Sequence, residues 1–312
     1  MLNIYLTDRN GKLQEIEEMQ KGCWINVLHP TEEEIQYLVQ TLNVDLDFIK
    51  DPLDDEERSR IEKEDNNTLI IVDIPTVRHD EEGNSIYDTI PIGMIVMPDC
   101  FVTICLEENP IFERFINQRI KEFYTFKKTR FALQLLYTIS TYYLRYLKQI
   151  NRKTIDLEHQ LNQSMKNKEI FTLLGLEKSL VYFTTSLKAN KIVIQKLMRN
   201  STFKMYEDDQ DLLEDVLIEN KQAIEMAEIY SHILSGMMNT FSSVISNNLN
   251  SVMKLLTSIT IILSLPTMVS SFFGMNVKVP FEGEAHGFVI VLIICVTLSF
   301  TLAFVFWKKR YF

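Results

Sequence analysis

The sequence predicts an α+β membrane protein: an N-terminal α/β domain, then long helices, the last of them a stalk continuous with the first of two C-terminal transmembrane helices. Charge distribution is the first observation. Residues 255–273 and 288–307 hold no Asp, Glu, Lys or Arg, although these types make up 24% of the chain. A second is the scarcity of helix breakers: between Pro110 and Pro266 there is no proline, and glycine occurs only at Gly175 and Gly236. The third is a set of short apolar or alternating runs confined to the first third.

Each charge-free run is about 20 residues long, and at 1.5 Å rise per residue a helix of that length covers roughly the 30 Å of a hydrocarbon core. A buried helix pair in a soluble protein is the alternative, which two such runs in succession disfavour. Lys254 precedes the first run, and Trp307-Lys308-Lys309-Arg310 closes the second. The loop between them carries only Lys278 against Glu282 and Glu284. The positive-inside rule then places both chain ends in the cytoplasm of a multi-pass cell-membrane protein. Trp307, Tyr311 and Phe312 suit an interfacial anchor in the lipid bilayer. The first residues have neither a basic start nor an apolar core, so no signal peptide is expected there.

A hydrophobic fraction of 46% argues against a disordered chain. The net charge of -10 disfavours nucleic acid as a partner and suits cations. Cys23, Cys100, Cys105 and Cys295 form no C-x-x-C pair and read as reduced structural residues. His29, His79, His159, His232 and His286 are scattered with no nucleophile motif beside them, so an enzyme is not expected.

Runs at 2–6, 69–74, 92–97 and 101–106, separated by turn residues such as Gly83-Asn84 and Pro98-Asp99, read as strands. Thr31 and Glu34 make a capping box, followed by Ile35, Leu38, Val39 and Leu42 at helical spacing. The α/β domain is expected over 1–110 and long helices over 111–210, interrupted near 162–167 and 200–211, where polar residues cluster. A stalk helix follows over 211–253, the first span over 254–275, an outer loop over 276–287, the second span over 288–307 and a basic tail over 308–312.

A polar stripe runs through stalk and span. Stepping back from Gly274 alternately by three and four residues gives Ser271, Thr267, Ser264, Thr260, Thr257, Met253, Asn250, Ser246, Ser243, Asn239 and Gly236, all small or polar except Met253. A 3.5-residue period holds one face toward a common axis in a left-handed bundle. Helix packing through small residues is the plainer reading. Continuity of the stripe from stalk to membrane favours an aqueous channel, and two spans per chain then require several copies in cyclic symmetry. Amide and hydroxyl oxygens without a carboxylate suit outer-shell contact with a hydrated ion, held weakly enough to leave.

Phe273-Gly274-Met275-Asn276, at the end of the first of two C-terminal spans, resembles the signature of the CorA family of magnesium and cobalt transport proteins. The resemblance covers the whole chain. It implies a homopentamer whose inner helices line the pore, with Asn276 forming an outer ring that meets hydrated Mg2+, and Gly274 and Met275 shaping the turn. It further implies pore positions at Thr267, Met253 and Asn250, a hydrophobic constriction at Leu256, and a cytoplasmic basic ring from Lys308, Lys309 and Arg310. Two departures stand out. Val279-Pro280-Phe281-Glu282 keeps a loop proline but displaces its acid, passing the acidic role to Glu282 and Glu284, and Asn239 stands where some relatives carry a pore-facing Asp.

The resemblance also implies that Mg2+ bound between cytoplasmic domains holds the pore closed. The segment Leu213-Glu214-Asp215-Val216 makes Asp215 a regulatory ligand, with Asp80 of a neighbouring domain as its partner; a solvated acidic helix face is the alternative for both. The expected function is Mg2+ uptake down the electrochemical gradient, with Co2+ or Ni2+ as further ions. A zinc transporter of the ZntB type is the second reading, and a membrane-anchored magnesium sensor without transport is the third.

Overall fold

Alternation along short strands builds a seven-stranded mixed sheet. The strands are β1 (Leu2–Thr7), β2 (Leu13–Ile16), β3 (Cys23–Leu28), β4 (Arg60–Glu64), β5 (Asn67–His79), β6 (Ser85–Val96) and β7 (Cys100–Cys105), in the order β2-β1-β3-β7-β6-β5-β4. Only β3 and β7 pair in parallel; every other neighbouring pair is antiparallel. The four runs expected as strands are β1, β5, β6 and β7, with β5 and β6 extended to 13 and 12 residues by a long hairpin. Three strands were not anticipated: β2, β3 and β4. In this computed structural model all residues are described except 9, 80–82, 84, 164–166, 200–204, 281–285, 310 and 312.

The two faces of the sheet carry different cores. On one, Cys23, Ile25, Val27, Leu69, Ile71 and Val102 meet Ile35 and Leu38 of α1 (Glu32–Leu42) and Phe48 and Ile49 of α2 (Leu46–Lys50). The capping box that starts α1 is formed: Glu34 N–H donates to Thr31 Oγ1 at 3.2 Å, and Thr31 N–H donates to Glu34 Oε2 at 2.9 Å. The alternate residues Trp24 and Phe101 turn to the opposite face. There Phe131 lies 5.1 Å from Trp24 and 4.4 Å from Phe101, and Phe115 and Phe123 close the cluster. The indole N–H of Trp24 donates to Thr103 Oγ1 at 2.8 Å, and that hydroxyl donates to Asn26 Oδ1 at 2.9 Å, so the polar atoms inside this core are satisfied.

Four helices follow α3 (Pro110–Ile116): α4 (Lys128–Gln163), α5 (Asn167–Arg199), α6 (Glu207–Phe273) and α7 (Gly287–Lys308). The long helices begin later than the lack of breakers implies. Between α3 and α4 the chain stays irregular because Thr125 is tied to the sheet, its N–H donating to Thr7 Oγ1 at 3.0 Å while Thr7 N–H donates to Thr125 Oγ1 at 3.1 Å. Conversely, α6 starts at Glu207, about one turn before the expected Asp211. Asp209 explains it: its carboxylate accepts from Tyr206 N–H at 3.2 Å and pairs with Arg130 at 3.3 Å, holding the first turn in place. Acids at Glu207, Asp208 and Asp209 also complement the positive end of the helix dipole.

The chain divides into two compact units, Met1–Ser235 and Gly236–Phe312. The first holds the sheet and its covering helices. The second holds the later part of α6, together with α7.

Candidate functional site

Across the apolar part of α6, two rows of residues differ in exposure. Ser258 is 2% exposed, and Ile262, Leu265, Pro266, Val269 and Phe273 are half-buried. The carbonyl of Pro266 in this row lies 4.0 Å from Cys295 Sγ on α7. By contrast Thr257, Thr260, Ser264, Thr267, Ser271 and Gly274 are all exposed. At about 100° per residue the two rows fall on opposite sides of the helix. The polar stripe therefore faces away from the row that meets α7. Toward the stalk, Gly236, Asn239, Ser243, Ser246, Asn250, Met253 and Leu256 are exposed as well.

Four of the stripe hydroxyls bond back to carbonyls of their own helix, three or four residues earlier. Ser243 donates to Asn239 O at 3.0 Å, Thr260 to Leu256 O at 2.9 Å, Ser264 to Ile261 O at 3.0 Å and Thr267 to Leu263 O at 3.0 Å. Each hydroxyl proton is thus directed back into the helix. What remains outward is oxygen lone pairs. Water bound to a cation turns its protons away from the ion, so a row of acceptors is the complementary surface for a hydrated cation.

The stripe ends where α6 ends. Gly274 N–H donates to Ser270 O at 3.0 Å and Met275 N–H to Phe272 O at 3.4 Å, closing the last turn. A Cβ on Gly274 would stand 3.3 Å from Ser270 O, so a side chain there would crowd the closure that Gly274 makes possible. Asn276 follows in a bend with its amide exposed and without a hydrogen-bond partner among the described residues. The final carbonyls of α6 and the negative end of its dipole lie beside it. Met275 is 53% exposed at the same turn.

The other expected residues lie elsewhere. Asp215 is exposed on α6 in the first unit, opposite Leu213 and Val216, which are buried. Burial raises the pKa of Tyr137 on α4, and the nearby carboxylates of Glu219 and Asp215 add to the rise. Among the described residues no three His, Cys, Asp or Glu side chains gather as a metal site, at Asp215 or elsewhere. Lys308 ends α7 and Lys309 caps it, both exposed, the Lys309 N–H bonding Val305 O at 3.0 Å. Nearby, Trp307 is 69% exposed and its ring lies 6.1 Å from that of Phe304. Asp80, Glu282, Glu284 and Arg310 lie outside the described residues.

Sequence reasoning missed Ser258, which the alternating three-and-four step passes over although its burial marks the packed side of the span. It also missed Cys295 as the residue of α7 that meets Pro266. No local signal joins the two, which lie 29 residues apart and meet only through the packing of α6 and α7.

A mixed α/β domain followed by long helices, with the apolar end of a 67-residue helix and a second apolar helix each long enough to cross a bilayer, is the architecture of a two-span membrane protein. The family model for the CorA-like Mg2+ transporter protein matches residues 19–310, and the chain belongs to that family. It is similar to the cobalt/magnesium transport protein CorA of Methanocaldococcus jannaschii, 27% identical over 306 residues covering 95% of this chain and 93% of the relative. The cobalt/magnesium transport protein CorA of Thermotoga maritima is 21% identical, covering 92% of this chain and 83% of the relative. The complete structure of the M. jannaschii CorA magnesium transporter superposes with a TM-score of 0.86 at 23% identity, covering 100% of this chain and 99% of that one. That likeness establishes the fold over the whole chain.

Proposed function

We propose that several copies of this chain, five by family, form a channel through which Mg2+ enters the cytoplasm down its electrochemical gradient. The observation that carries the reading is the exposed stripe of outward-facing oxygens on the side of α6 turned away from its α7 contact, ending at Asn276. In a ring of copies these stripes face the axis and form a lining suited to a hydrated ion. Asn276 forms the outer mouth with Gly274 and Met275, Leu256 narrows the cytoplasmic part, and Glu282 and Glu284 gather cations outside. Both chain ends are cytoplasmic, with Lys308, Lys309 and Arg310 at the inner membrane surface. The membrane potential supplies about 2.3 kcal/mol per charge per 100 mV, and roughly twice that for a divalent ion, so inward flux needs no nucleotide hydrolysis.

Internal Mg2+ closes the channel by bridging Asp215 of one subunit and a carboxylate of its neighbour, Asp80 being the candidate. Like charges at a subunit boundary repel, and a divalent ion relieves that repulsion. Co2+ and Ni2+ are further permeant ions of this reading.

Flux into liposomes carrying the purified chain, with Mg2+, Co2+, Ni2+ and Zn2+ compared, tests the proposal. Mg2+ entry that falls at least tenfold on Asn276→Ala is the expected result. Binding without flux would overturn the channel in favour of a sensor, and preference for Zn2+ over Mg2+ would overturn the ion assignment. For gating, Mg2+-dependent protection from protease should be lost in Asp215→Ala, and an unaltered response would remove Asp215 from the mechanism.

A further inference from the structure

Within the first unit, a cleft of about 460 Å3 opens between α4 and α6. Arg145, Lys148 and Arg152 line it from α4, and their spacing of three and four residues sets them in one row. Glu219 is the acidic residue lining the other wall, and Leu144, 8% exposed, gives the cleft an apolar patch. The three basic side chains are exposed, and none forms an ion pair among the described residues. Three cations of one helix row thus keep their charge unneutralised along one wall of the cleft. Gln149 adds a neutral donor: its Oε1 accepts from Tyr87 at 3.5 Å, which leaves the Nε2 group free to face a ligand.

We infer that this cleft binds a polyphosphate-type anion, a chain of two or three phosphates, through Arg145, Lys148, Arg152 and Gln149. The lining is rich in donors, and guanidinium forks match phosphate oxygens in bidentate fashion. From position 145 to 152 the helix rises roughly 10 Å, longer than one phosphate and suited to a short chain of them. The volume falls in the range of small-ligand sites, roughly 300 to 1,000 Å3. Glu219 decides the form of the ligand. Its carboxylate would repel bare phosphate oxygens but complements a magnesium complex, because Mg2+ is commonly held by one or two carboxylates together with phosphates. The magnesium-bound form is therefore the preferred ligand.

The site is read by binding, so its test stands apart from any measurement of flux. The full-length protein in lipid nanodiscs is titrated by calorimetry with tripolyphosphate and, separately, with ATP, each with and without Mg2+. Saturable binding is expected, at least tenfold weaker in the Arg145→Gln/Arg152→Gln double variant and unchanged in Lys63→Gln on β4. Equal affinity for both probes means that the phosphate chain alone is recognised, and tighter ATP binding means that the nucleoside is contacted too. Glu219→Gln should weaken binding of the magnesium form and strengthen that of metal-free tripolyphosphate. No saturable binding of either probe overturns the inference, as does equal weakening in Lys63→Gln. Dissociation of the oligomer by the double variant, seen by light scattering in the absence of ligand binding, would instead identify the cleft as a contact between copies.

Discussion

Asn190 on α5 clamps the backbone of Asp73 on β5 from both sides, its Nδ2 donating to the Asp73 carbonyl at 2.7 Å and its Oδ1 accepting the Asp73 N–H at 2.9 Å. The clamp sits where β4 stops: pairing of β4 with β5 ends at Ile71, so the next part of β5 has no strand on that edge. A side-chain amide replaces the missing ladder. Ser59 Oγ also donates to Asn190 Oδ1 at 3.1 Å, and Tyr143 donates to the Asp73 carbonyl at 3.1 Å.

Asn190→Ala should therefore destabilise the first unit by about 1 to 2 kcal/mol, since it strands the part-buried Asp73 N–H while Tyr143 still serves the carbonyl. Hydrogen exchange provides a local check. The amides of 72–75 should lose protection in the variant while those of β1 and β3 keep theirs; uniform loss would mean that the clamp is not what protects this edge.

Asp73 itself predicts a pH effect. Burial raises its pKa above the ordinary carboxylate value of 3.8, against the lowering effect of hydrogen bonds from Ser186 and Ser59. The folded state thus binds the proton more tightly than the unfolded state. Stability falls as pH rises from the unfolded pKa through the folded one, and the penalty is fully present above the latter. Asp73→Asn removes the charge, so it should raise thermal stability at pH 7 by roughly 1 kcal/mol, the lower end of the cost of a poorly compensated buried polar group. Below pH 3.8 the gain should vanish. A gain that persists unchanged at low pH would show that burial of charge is not its source.

Gly93 on β6 is required by a close approach. A Cβ at this position would run into Pro52 Cγ and stand 2.8 Å from Pro52 Cβ. Pro52 lies in the short 3-10 turn Asp51–Leu53, which lacks the freedom to retreat. Gly93→Ala should cost about 1 to 3 kcal/mol as overpacking, measured by chemical denaturation. Pro52→Ala in the same chain should recover part of that loss, and strict additivity of the two changes would count against the contact as the cause.

The sequence made legible those features that repeat or that carry local chemistry. Thr31 and Glu34 disclosed a helix start because both partners of the capping box lie within four residues. The stripe from Gly236 to Gly274 was visible because one period runs through twelve positions near the end of a single chain segment. β3, by contrast, reads Cys-Trp-Ile-Asn-Val-Leu, and burial of its first five residues on both faces of the sheet erases the alternation that marks a half-exposed strand. β4, Arg-Ile-Glu-Lys-Glu, is a charged edge strand identified only by its partner. Asp73 and Asn190 are 117 residues apart and meet only through the fold. Arg145, Lys148 and Arg152 read as an ordinary solvated helix face until α6 supplies the opposite wall of a cleft.

Stripe hydroxyls and other polar residues of the spans are alike in exposure and hydrogen bonding and differ in the helix face they occupy. Thr260 and Thr267 on α6 and Thr297 on α7 are all exposed, and each hydroxyl donates back to a carbonyl of its own helix, that of Thr297 at 2.7 Å to Ile293 O. Valine has nearly the same shape as threonine, so a Thr→Val change removes an outward oxygen without altering the packing volume. If the stripe lines the path of a hydrated ion, Thr260→Val/Thr267→Val should lower Mg2+ flux in liposomes about tenfold, because acceptor oxygens for the waters of the ion are lost at two levels. Thr297→Val should leave flux within about twofold of the parent chain, a free-energy change well under 1 kcal/mol. Equal losses in both variants would mean that these hydroxyls serve helix stability alone, and the assignment of the ion path to the face of α6 opposite Pro266 would fall.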